Sequence, residues 1–274
     1  MIVAPTTVLV DPTADLQAAI DALGSGGGIV QLGPGTYPLI TVGLTVPYGV
    51  TLAGSGMGTT YLEMDNPNTD IVTVTGAYAT VRDLTITVKA SARAAGTGVG
   101  LKLKASSSAL MSECEFKNLN IFSTGSWGIK ICDISNTYEP ADYSLGYIVG
   151  PGFSHVTVFD CRSGGALYSG AGVSTPKFHY FSSVCKGYRP AWPSRPSGAW
   201  KWPPMDAYGI GFTDYLPAGA VYLFITTDAT FDKCFFQSHT DSDNTPAISI
   251  EDCISTAFND CYFEHLNSTT RTAR

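Results

Sequence analysis

Apolar and polar residues alternate over short segments that recur along most of the chain. The recurring unit is a small residue followed by an apolar–polar–apolar triplet, as in residues 100–103 (GLKL) and 128–131 (GIKI). Alternation of this kind buries one face of a β-strand and leaves the other face in water. Further copies stand at residues 49–52, 72–74, 221–223 and 247–250. Each copy is therefore predicted to be a short strand with one buried face.

A second unit follows the first and contains a bend. It reads apolar, any residue, polar, apolar or cysteine, any residue, apolar, and its copies stand at residues 81–86, 116–121, 231–236 and 258–263, with a partial copy at 158–161. Positions one and four have opposite strand parity, so a straight strand cannot bury both side chains. A bend at the polar third position can bury both, and asparagine or aspartate tolerates the left-handed backbone of such a corner.

Short strands that repeat in this way predict an all-β fold, a right-handed single-stranded parallel β-helix in which each coil packs on the next. The last two corner units begin 27 residues apart (258 − 231), which is the expected length of a coil. An antiparallel sandwich would use Asn-Gly or Asp-Gly hairpin turns, and the sequence contains neither dipeptide. The pattern therefore favours the β-helix over the sandwich.

The first 48 residues differ from the rest and are predicted to close one end of the coil. Leu16, Ile20 and Leu23 form an apolar stripe at helical spacing. The expected organisation is one domain, with a short capping α-helix and a leading strand in residues 1–48 and β-helix coils in residues 49–274. Loop insertions into the coils are expected at residues 133–155 and 186–220.

The N-terminal region resembles a known family. Segments similar to the first coil of pectin-lyase-like β-helix proteins stand at residues 15–22 (DLQAAIDA), 26–30 (GGGIV), 32–37 (LGPGTY) and 44–56 (LTVPYGVTLAGSG). The resemblance implies that the helix covers the first coil, and the coil pattern extends the resemblance to about residue 265. That superfamily includes pectate lyases, polygalacturonases, alginate epimerases and the tailspikes and tail fibres of bacteriophages, so the fold alone does not choose an activity.

The chain departs from the motifs of the pectin-degrading members. Residues 189–195 (RPAWPSR) are similar in composition to the arginine–proline element of pectate lyases but differ in spacing. Residues 241–244 (DSDN) are interpreted as a turn rather than as a calcium site, and the paired aspartates of polygalacturonases are absent from the sequence. The resemblance is therefore strongest in character to phage tailspikes and tail fibres.

Composition argues against several other classes of protein. Hydrophobic residues make up 44% of the chain and charged residues 14%, which indicates a large core rather than disorder. A net charge of −7 without a Lys/Arg cluster argues against nucleic-acid binding, and no apolar run approaches the ~18 residues of a membrane span. Seven cysteines without a CxxC pair, and four histidines without metal-ligand spacing, predict no metal, no cofactor and buried, reduced thiols.

The N-terminus lacks the features of a secretion signal. A protein that meets a polysaccharide outside the cell but folds in the host cytosol fits a virion part that leaves by lysis. We therefore expect a phage tail protein that binds a host surface polysaccharide, with or without depolymerising it, as a homotrimer or with other virion proteins. The alternatives are an extracellular stand-alone carbohydrate enzyme (a hydrolase, lyase or epimerase) and a purely structural virion protein.

A groove between the two insertions is the expected binding site. The proline-rich stretch 188–204 is predicted to be a loop whose aromatic faces stack on sugars or else pack on the coil; it carries Trp192, Trp200 and Trp202. Both insertions connect to strands of the first unit and are expected to flank one sheet, whose outward residues are Thr51, Thr73, Lys102, Lys130, Tyr222 and Ser249. Lys102 and Lys130 are expected to lie one above the other and to suit an anionic sugar, and Tyr222 to contact it.

Acid–base chemistry on a glycosidic bond needs two carboxylates. The candidates near the expected groove are Glu139, Asp142, Asp206 and Asp214, with Asp133 beside them. Such a pair without a metal favours hydrolysis over elimination, which usually needs a cation. Three other acids occupy the corner position and are interpreted as structural: Asp83, Asp160 and Asp260. The sequence shows no triad companion for any of its four histidines.

Overall fold

The computed structural model describes residues 5–105, 110–131, 147–162, 165–170, 173–185, 221–224, 226–238, 248–251 and 253–265. The chain begins with β1 (Thr7–Val10), α1 (Leu16–Asp21), and a 3₁₀ turn at Gly24–Gly26. The strands that follow are β2 (Gly28–Leu32), β3 (Gly35–Leu39), β4 (Leu44–Val46), β5 (Val50–Ala53), β6 (Thr60–Met64), β7 (Val72–Val74), β8 (Thr80–Val88), β9 (Leu101–Leu103), β10 (Met111–Ser112), β11 (Glu115–Phe122), β12 (Ile129–Ile131), β13 (Ile148–Val149), β14 (Gly152–Phe159), β15 (Leu167–Ser169), β16 (Val173–Ser174), β17 (Lys177–Cys185), β18 (Val221–Phe224), β19 (Thr230–Asp232), β20 (Phe235–Ser238), β21 (Ile248–Glu251), β22 (Ala257–Asn259) and β23 (Tyr262–His265). A second 3₁₀ turn, Ala90–Ala92, follows β8.

Every strand pairs in parallel with the equivalent strand of a neighbouring coil, as far as the described residues show. A long sheet of 13 strands runs through β1, β2, β5, β8, β11, β14, β17, β19 and β22, and β3, β6, β20 and β23 join it. A second sheet has the order β21-β18-β15-β12-β9-β7-β4, and a third joins β10, β13 and β16. These stacked sheets form the parallel β-helix that the alternating pattern predicted. The strand β13 and the first residues of β14 belong to the coil, although they lie inside the segment 133–155 that the sequence indicated as an insertion.

The helix α1 covers the N-terminal end of the coil. Asp15 caps it, because its side chain accepts a hydrogen bond from the backbone N–H of Ala18. Leu16, Ile20 and Leu23 are buried, as their helical spacing predicted, and α1 packs against β1 and β4. No helix in the described part of the chain is long and apolar enough to span a membrane.

Inward side chains stack from coil to coil in rows. The clearest row contains five phenylalanine rings, whose neighbouring centroids lie 4.8, 4.8, 4.5 and 5.0 Å apart; it contains Phe116, Phe153, Phe178, Phe231 and Phe258. Phe236 and Phe263 stack in the same manner at 5.2 Å, which confirms their predicted proximity on successive coils. The core is thus one continuous cluster built of parallel ladders.

The cysteines in these ladders are thiols, as predicted. Cys161 and Cys234 are buried, Cys261 is half-buried, and none of the three forms a disulfide in the described structure. Burial raises the pKa of the Cys234 thiol to about 12, so it stays protonated at neutral pH. These side chains therefore behave as small apolar residues that fill the stack.

Corners with a left-handed backbone give the coil its shape. All non-glycine residues with positive φ in the described ranges fall into three columns that run along the coil. The first column joins Tyr78, Glu113, Thr175, Asp228 and Ser255, with Gly49 and Gly150 in the same register. The second, the bend inside the corner unit, joins Asp83, Asn118, His155, Tyr180, Lys233 and Asp260. The third holds Ser123 and Asp160.

These columns confirm the corner unit and correct one of its copies, the segment 158–161. Asp83 and Asp260 are bend residues, as interpreted from the sequence. Asp160 is not, because the segment 158–161 lies at the end of β14, in the third column, where the Asp160 carboxylate accepts a hydrogen bond from Ser123 at 2.9 Å. The bends of the coils that contain β14 and β17 are at His155 and Tyr180, in segments that were not identified as copies of the unit.

The first column offers a test of its backbone. Thr175 has φ 50°, a conformation that costs an L-residue about 1–2 kcal/mol. Glycine avoids this cost, but its greater conformational entropy in the unfolded chain offsets about 0.5–1 kcal/mol of the stabilisation. Thr175→Gly is therefore expected to raise the free energy of unfolding by about 0.5–1 kcal/mol in urea denaturation. Thr157→Gly, in the extended strand β14, is the matched control and is expected to lower it. Equal destabilisation by both substitutions would contradict the corner assignment.

Candidate functional site

Most of the site residues expected from the sequence lie outside the described residues. These are Glu139, Asp142, Asp206, Asp214, Trp192, Trp200 and Trp202. Tyr222 belongs to β18, where it stands in register with Tyr168 of the preceding coil. The groove walls and carboxylates therefore stay predictions. The structure does describe the sheet that they would flank, which has the order β21-β18-β15-β12-β9-β7-β4.

The outward row of that sheet contains Lys102 and Lys130 in register, as expected. Lys102 Nζ lies 3.0 Å from the Asp70 carboxylate, and its side chain is only 14% exposed, so an acid matches its charge. Lys130 Nζ lies 5.5 Å from the centre of the Tyr168 ring. The row is thus part of a local network of charge and aromatic contacts, and it is less cationic than two stacked lysines alone would be.

One member of this row was misassigned from the sequence. Thr51 lies in β5, which pairs with β2 and β8 in the long sheet, opposite Ile29 and Thr80. The row instead begins at Thr45 of β4, which stands in register with Thr73 of β7. The segments 44–46 and 49–52 share the same alternation, so the pattern could not tell which of them belonged to this sheet.

A different group of chemically capable side chains meets at the bend of β14, β17 and β19. Ser154, His179 and Asp232 occupy the same register position on successive coils. The next residue in each coil is a bend residue of the second column; these are His155, Tyr180 and Lys233. We call these six residues the corner cluster.

Close polar and aromatic contacts connect the corner cluster. His179 Nδ1 lies 2.7 Å from the Asp232 carboxylate, and Ser154 Oγ lies 3.0 Å from His155 Nδ1. The Tyr180 ring contacts both imidazoles, with centroids 4.8 Å from His155 and 4.2 Å from His179. Lys233 Nζ lies 5.8 Å from the centre of the Tyr180 ring. The cluster therefore combines a hydroxyl, two imidazoles, a carboxylate and an ammonium group on one surface.

The corner cluster is open to solvent. The side chains of His179 and Asp232 are 44% and 33% exposed, and Tyr180 is 43% exposed. A ligand can therefore reach these groups without a change in the coil. Among the residues that the structure describes, no three His, Cys, Asp or Glu side chains come together as metal ligands would.

Next to the corner cluster, half-buried polar and aromatic side chains cover the outer surface of the long sheet. Asn120, Thr157 and Ser182 form one row in register. Two residues further along each strand, Phe122 and Phe159 stack with centroids 4.8 Å apart and planes 12° apart. We call these five residues the aromatic face.

Aromatic side chains continue the rows of this face. The Arg93 guanidinium lies 5.3 Å above the Phe122 ring. In the following coils the row of Ser182 continues with Phe235 and Tyr262, whose rings stack at 5.4 Å. Aromatic and polar side chains therefore extend over five coils of the same surface.

Comparison with known proteins places the fold. No protein-family profile and no curated protein sequence matches this chain. Among solved structures, the mannuronan C-5 epimerase A-module of Azotobacter vinelandii superposes with a TM-score of 0.51 at 15% identity, over 92% of this chain and 77% of that one. The fold that the two chains share is a parallel β-helix.

Two further structures are similar over most of this chain. An alginate lyase of Paenibacillus has a TM-score of 0.47 at 12% identity, with 96% of this chain and 99% of that one covered. The ORF18 protein of Geobacillus virus E2 has a TM-score of 0.47 at 14% identity, with 94% of this chain and 52% of that one covered. At such identities the likeness concerns the fold, and any function has to be argued from the residues of this chain.

Proposed function

We propose that this chain binds an extended polysaccharide along the outer surface of its coil. The observation that carries the proposal is the aromatic face, where the stacked rings of Phe122 and Phe159 run parallel to the polar row Asn120, Thr157 and Ser182. The Azotobacter vinelandii module of similar fold is named for an activity on mannuronan, a polysaccharide, which agrees with the proposal.

The chemistry of the aromatic face matches that of a sugar chain. A pyranose ring has an apolar C–H face and polar hydroxyl edges, so it needs an apolar surface beside hydrogen-bonding groups. The stacked phenylalanine rings provide apolar surface at low entropy cost, and the amide and hydroxyls of the polar row donate and accept hydrogen bonds. Coils repeat about every 4.8 Å, so polar and aromatic side chains follow one another along the axis, as binding of an extended polymer requires.

The setting that we propose is a phage tailspike or tail fibre that binds a host surface polysaccharide, as a homotrimer or with other virion proteins. The N-terminal region supports this setting through its resemblance to a superfamily that includes phage tailspikes. The thiols support it as well, since Cys114, Cys161 and Cys234 are buried and unpaired, which suits folding in a reducing cytosol. The alternative is an extracellular stand-alone enzyme. Tail genes beside its gene would favour the first setting, and sugar-catabolism genes would favour the second.

Cleavage of a polysaccharide is a separate part of the proposal, and it concerns the groove expected on the sheet of Lys102 and Lys130 rather than the aromatic face. A pair from Glu139, Asp142, Asp206 and Asp214 would perform hydrolysis, and Trp192, Trp200 and Trp202 would hold the glycan in the groove. Incubation with capsular or lipopolysaccharide glycans distinguishes the reactions. New reducing ends without absorbance of unsaturated uronate indicate hydrolysis, both signals together indicate elimination, and neither signal leaves a binding protein without cleavage.

Loss of the stacked rings is expected to weaken glycan binding. The double variant Phe122→Ala/Phe159→Ala removes two ring contacts of roughly 0.5–1.5 kcal/mol each, so the dissociation constant should rise about tenfold to 100-fold. Calorimetric titration with alginate and a panel of capsular and O-chain polysaccharides measures the change. The matched control is Tyr48→Ala/Tyr78→Ala, an exposed ring pair 5.6 Å apart elsewhere on the coil, which should leave affinity unchanged. Equal losses in both variants would contradict the assignment of this face.

A further inference from the structure

The row Ser154, His179 and Asp232 places the three residue types of serine hydrolases on successive coils of the same face. We propose that the corner cluster hydrolyses acyl esters, and that its substrates are O-acyl groups carried by a polysaccharide. The polymeric substrate rests on the proposed glycan binding, whereas the ester chemistry rests on the cluster itself. Acyl groups esterified to sugar hydroxyls project from a polysaccharide, so a solvent-exposed cluster can contact them.

Ser154 is the nucleophile in this proposal. Its Oγ lies 3.0 Å from His155 Nδ1, within the hydrogen-bond distance that a serine nucleophile and its base require. The unprotonated Nδ1 of His155 accepts the hydroxyl proton while Oγ attacks the acyl carbon. The His155 ring is held in place by the Tyr180 ring, whose plane is tilted 31° from it at a centroid distance of 4.8 Å.

His179 and Asp232 form the second half of the site. With Nδ1–H donating to the Asp232 carboxylate at 2.7 Å, the lone pair of His179 lies on Nε2. The carboxylate fixes this tautomer and stabilises the imidazolium that forms when Nε2 takes a proton. The two imidazole centroids are 6.3 Å apart, so both histidines can serve one reaction centre.

The reaction balances with water as the second substrate. In acylation, Ser154 Oγ bonds to the acyl carbon and passes its proton to His155; the sugar–oxygen bond to the acyl carbon breaks, and the sugar oxygen takes that proton. In deacylation, His179 Nε2 takes a proton from water, the hydroxide bonds to the acyl carbon, and Ser154 Oγ leaves with that proton. The products are the free sugar hydroxyl and a carboxylic acid, and no oxidant or metal is consumed.

Backbone strain at this site supports a functional role. His155, Tyr180 and Lys233 have φ 54°, 51° and 53°, whereas other coils place Asp83, Asn118 or Asp260 in the same column. Asparagine, aspartate and histidine tolerate this conformation, while for the bulky ring of Tyr180 it is an outlier. Strained residues of this kind concentrate at active and binding sites, and Tyr180 contacts both histidines of the cluster.

The position of the corner cluster explains why its substrate would be a glycan. Thr157 and Ser182 of the aromatic face follow His155 and Tyr180 by two residues along β14 and β17. A sugar held on that face therefore presents its substituents to the cluster. Lys117, which forms an ion pair with Glu115, stands in register with Ser154 on the preceding coil.

Labelling and acetate release test the proposal. The intact protein is treated with a fluorophosphonate, and the modified residue is identified by mass spectrometry. Separately, acetate release from O-acetylated alginate and hydrolysis of p-nitrophenyl acetate are measured for wild type, Ser154→Ala, His155→Gln and Ser174→Ala. The expected result is labelling of Ser154, no turnover by Ser154→Ala, a loss of at least about 100-fold in His155→Gln, and unchanged activity in Ser174→Ala, which lies in β16 on another sheet.

The outcomes separate ester hydrolysis from glycan binding. If wild type binds polysaccharide but releases no acetate and is not labelled, the esterase proposal is wrong and the proposed function stands. If labelling falls on another serine, or if Ser154→Ala keeps its activity, the corner cluster is not the site. If acetate is released from p-nitrophenyl acetate by a protein that binds no polysaccharide, the ester chemistry stands and the glycan assignment fails.

Discussion

Replacement of Phe178 with alanine is expected to lower the free energy of unfolding by about 3–5 kcal/mol, the typical cost of removing a fully buried aromatic side chain. The ring is 1% exposed and stacks between Phe153 at 4.8 Å and Phe231 at 4.5 Å. It also meets the edge of Phe181 at 5.5 Å. Its loss therefore leaves a cavity with aromatic walls in the middle of the coil, which urea denaturation followed by far-UV circular dichroism would detect.

The same substitution at the end of the ladder provides the control. Phe258 is only half-buried and has a single stacked neighbour in the described row, Phe231 at 5.0 Å. Phe258→Ala is expected to lower the free energy of unfolding by about 1–2 kcal/mol, since folding of the chain buries less apolar area of this ring. If the two variants lost the same stability, the ladder would not be the source of the effect.

The alternation of residues predicted the coil because each strand in the stack must bury the side chains on its inward face. Residues 101–103 and 129–131 pair in register with apolar side chains inward. A polar side chain there is costly unless it finds a hydrogen-bond partner, as buried Ser169 of the next coil does in Thr226. The corner unit was predicted for the same reason, since Leu84 and Leu119 must turn inward after the bend. Core requirements recur in every coil, so they leave a repeating signal in the sequence.

The corner residues themselves were only partly predictable. A left-handed backbone costs an L-residue about 1–2 kcal/mol, and that penalty favours asparagine or aspartate without excluding other side chains. His155 and Tyr180 stand at bends. Both segments, 153–156 and 178–181, fit the apolar positions of the unit, but their third residues are histidine and tyrosine rather than asparagine or aspartate. Alignment on the apolar positions alone would have found both.

The corner cluster was not predicted because its residues lie far apart in the sequence. His179 and Asp232 are 53 residues apart, with the stretch 186–220 between them, so their spacing does not equal a coil length. Their proximity follows only from the register of β17 with β19. Once both segments are aligned as corner units, Ser154, His179 and Asp232 fall in one column, and this is the sequence signal that could have identified them.

Introduction of a single methyl group at Gly128 is expected to lower the free energy of unfolding by about 1–3 kcal/mol, the usual cost of overpacking. A Cβ atom at Gly128 would lie 2.2 Å from Val158 Cγ1 and 3.0 Å from the backbone oxygen of Ala166. Val158 is fully buried and its branched side chain has few alternative rotamers, so it cannot move aside. Gly58→Ala, where a Cβ would meet no atom within 4 Å, should stay within about 0.5 kcal/mol of wild type.

A second substitution identifies the collision as the cause. Val158→Ala removes the methyl group that a Cβ at Gly128 would strike, so Gly128→Ala/Val158→Ala should lose less stability than the sum of the two single variants. Contacting residues commonly show interaction energies of about 0.5–3 kcal/mol in such cycles, and urea midpoints for the four proteins measure that energy. Strictly additive losses would show that Val158 is not the cause and would leave the close approach to the Ala166 backbone oxygen and Cys161 Sγ. A positive interaction would explain why the strand units at residues 100–103 and 128–131 begin with glycine, since the Cβ of Gly100 would likewise lie 2.6 Å from Ile121 Cγ2.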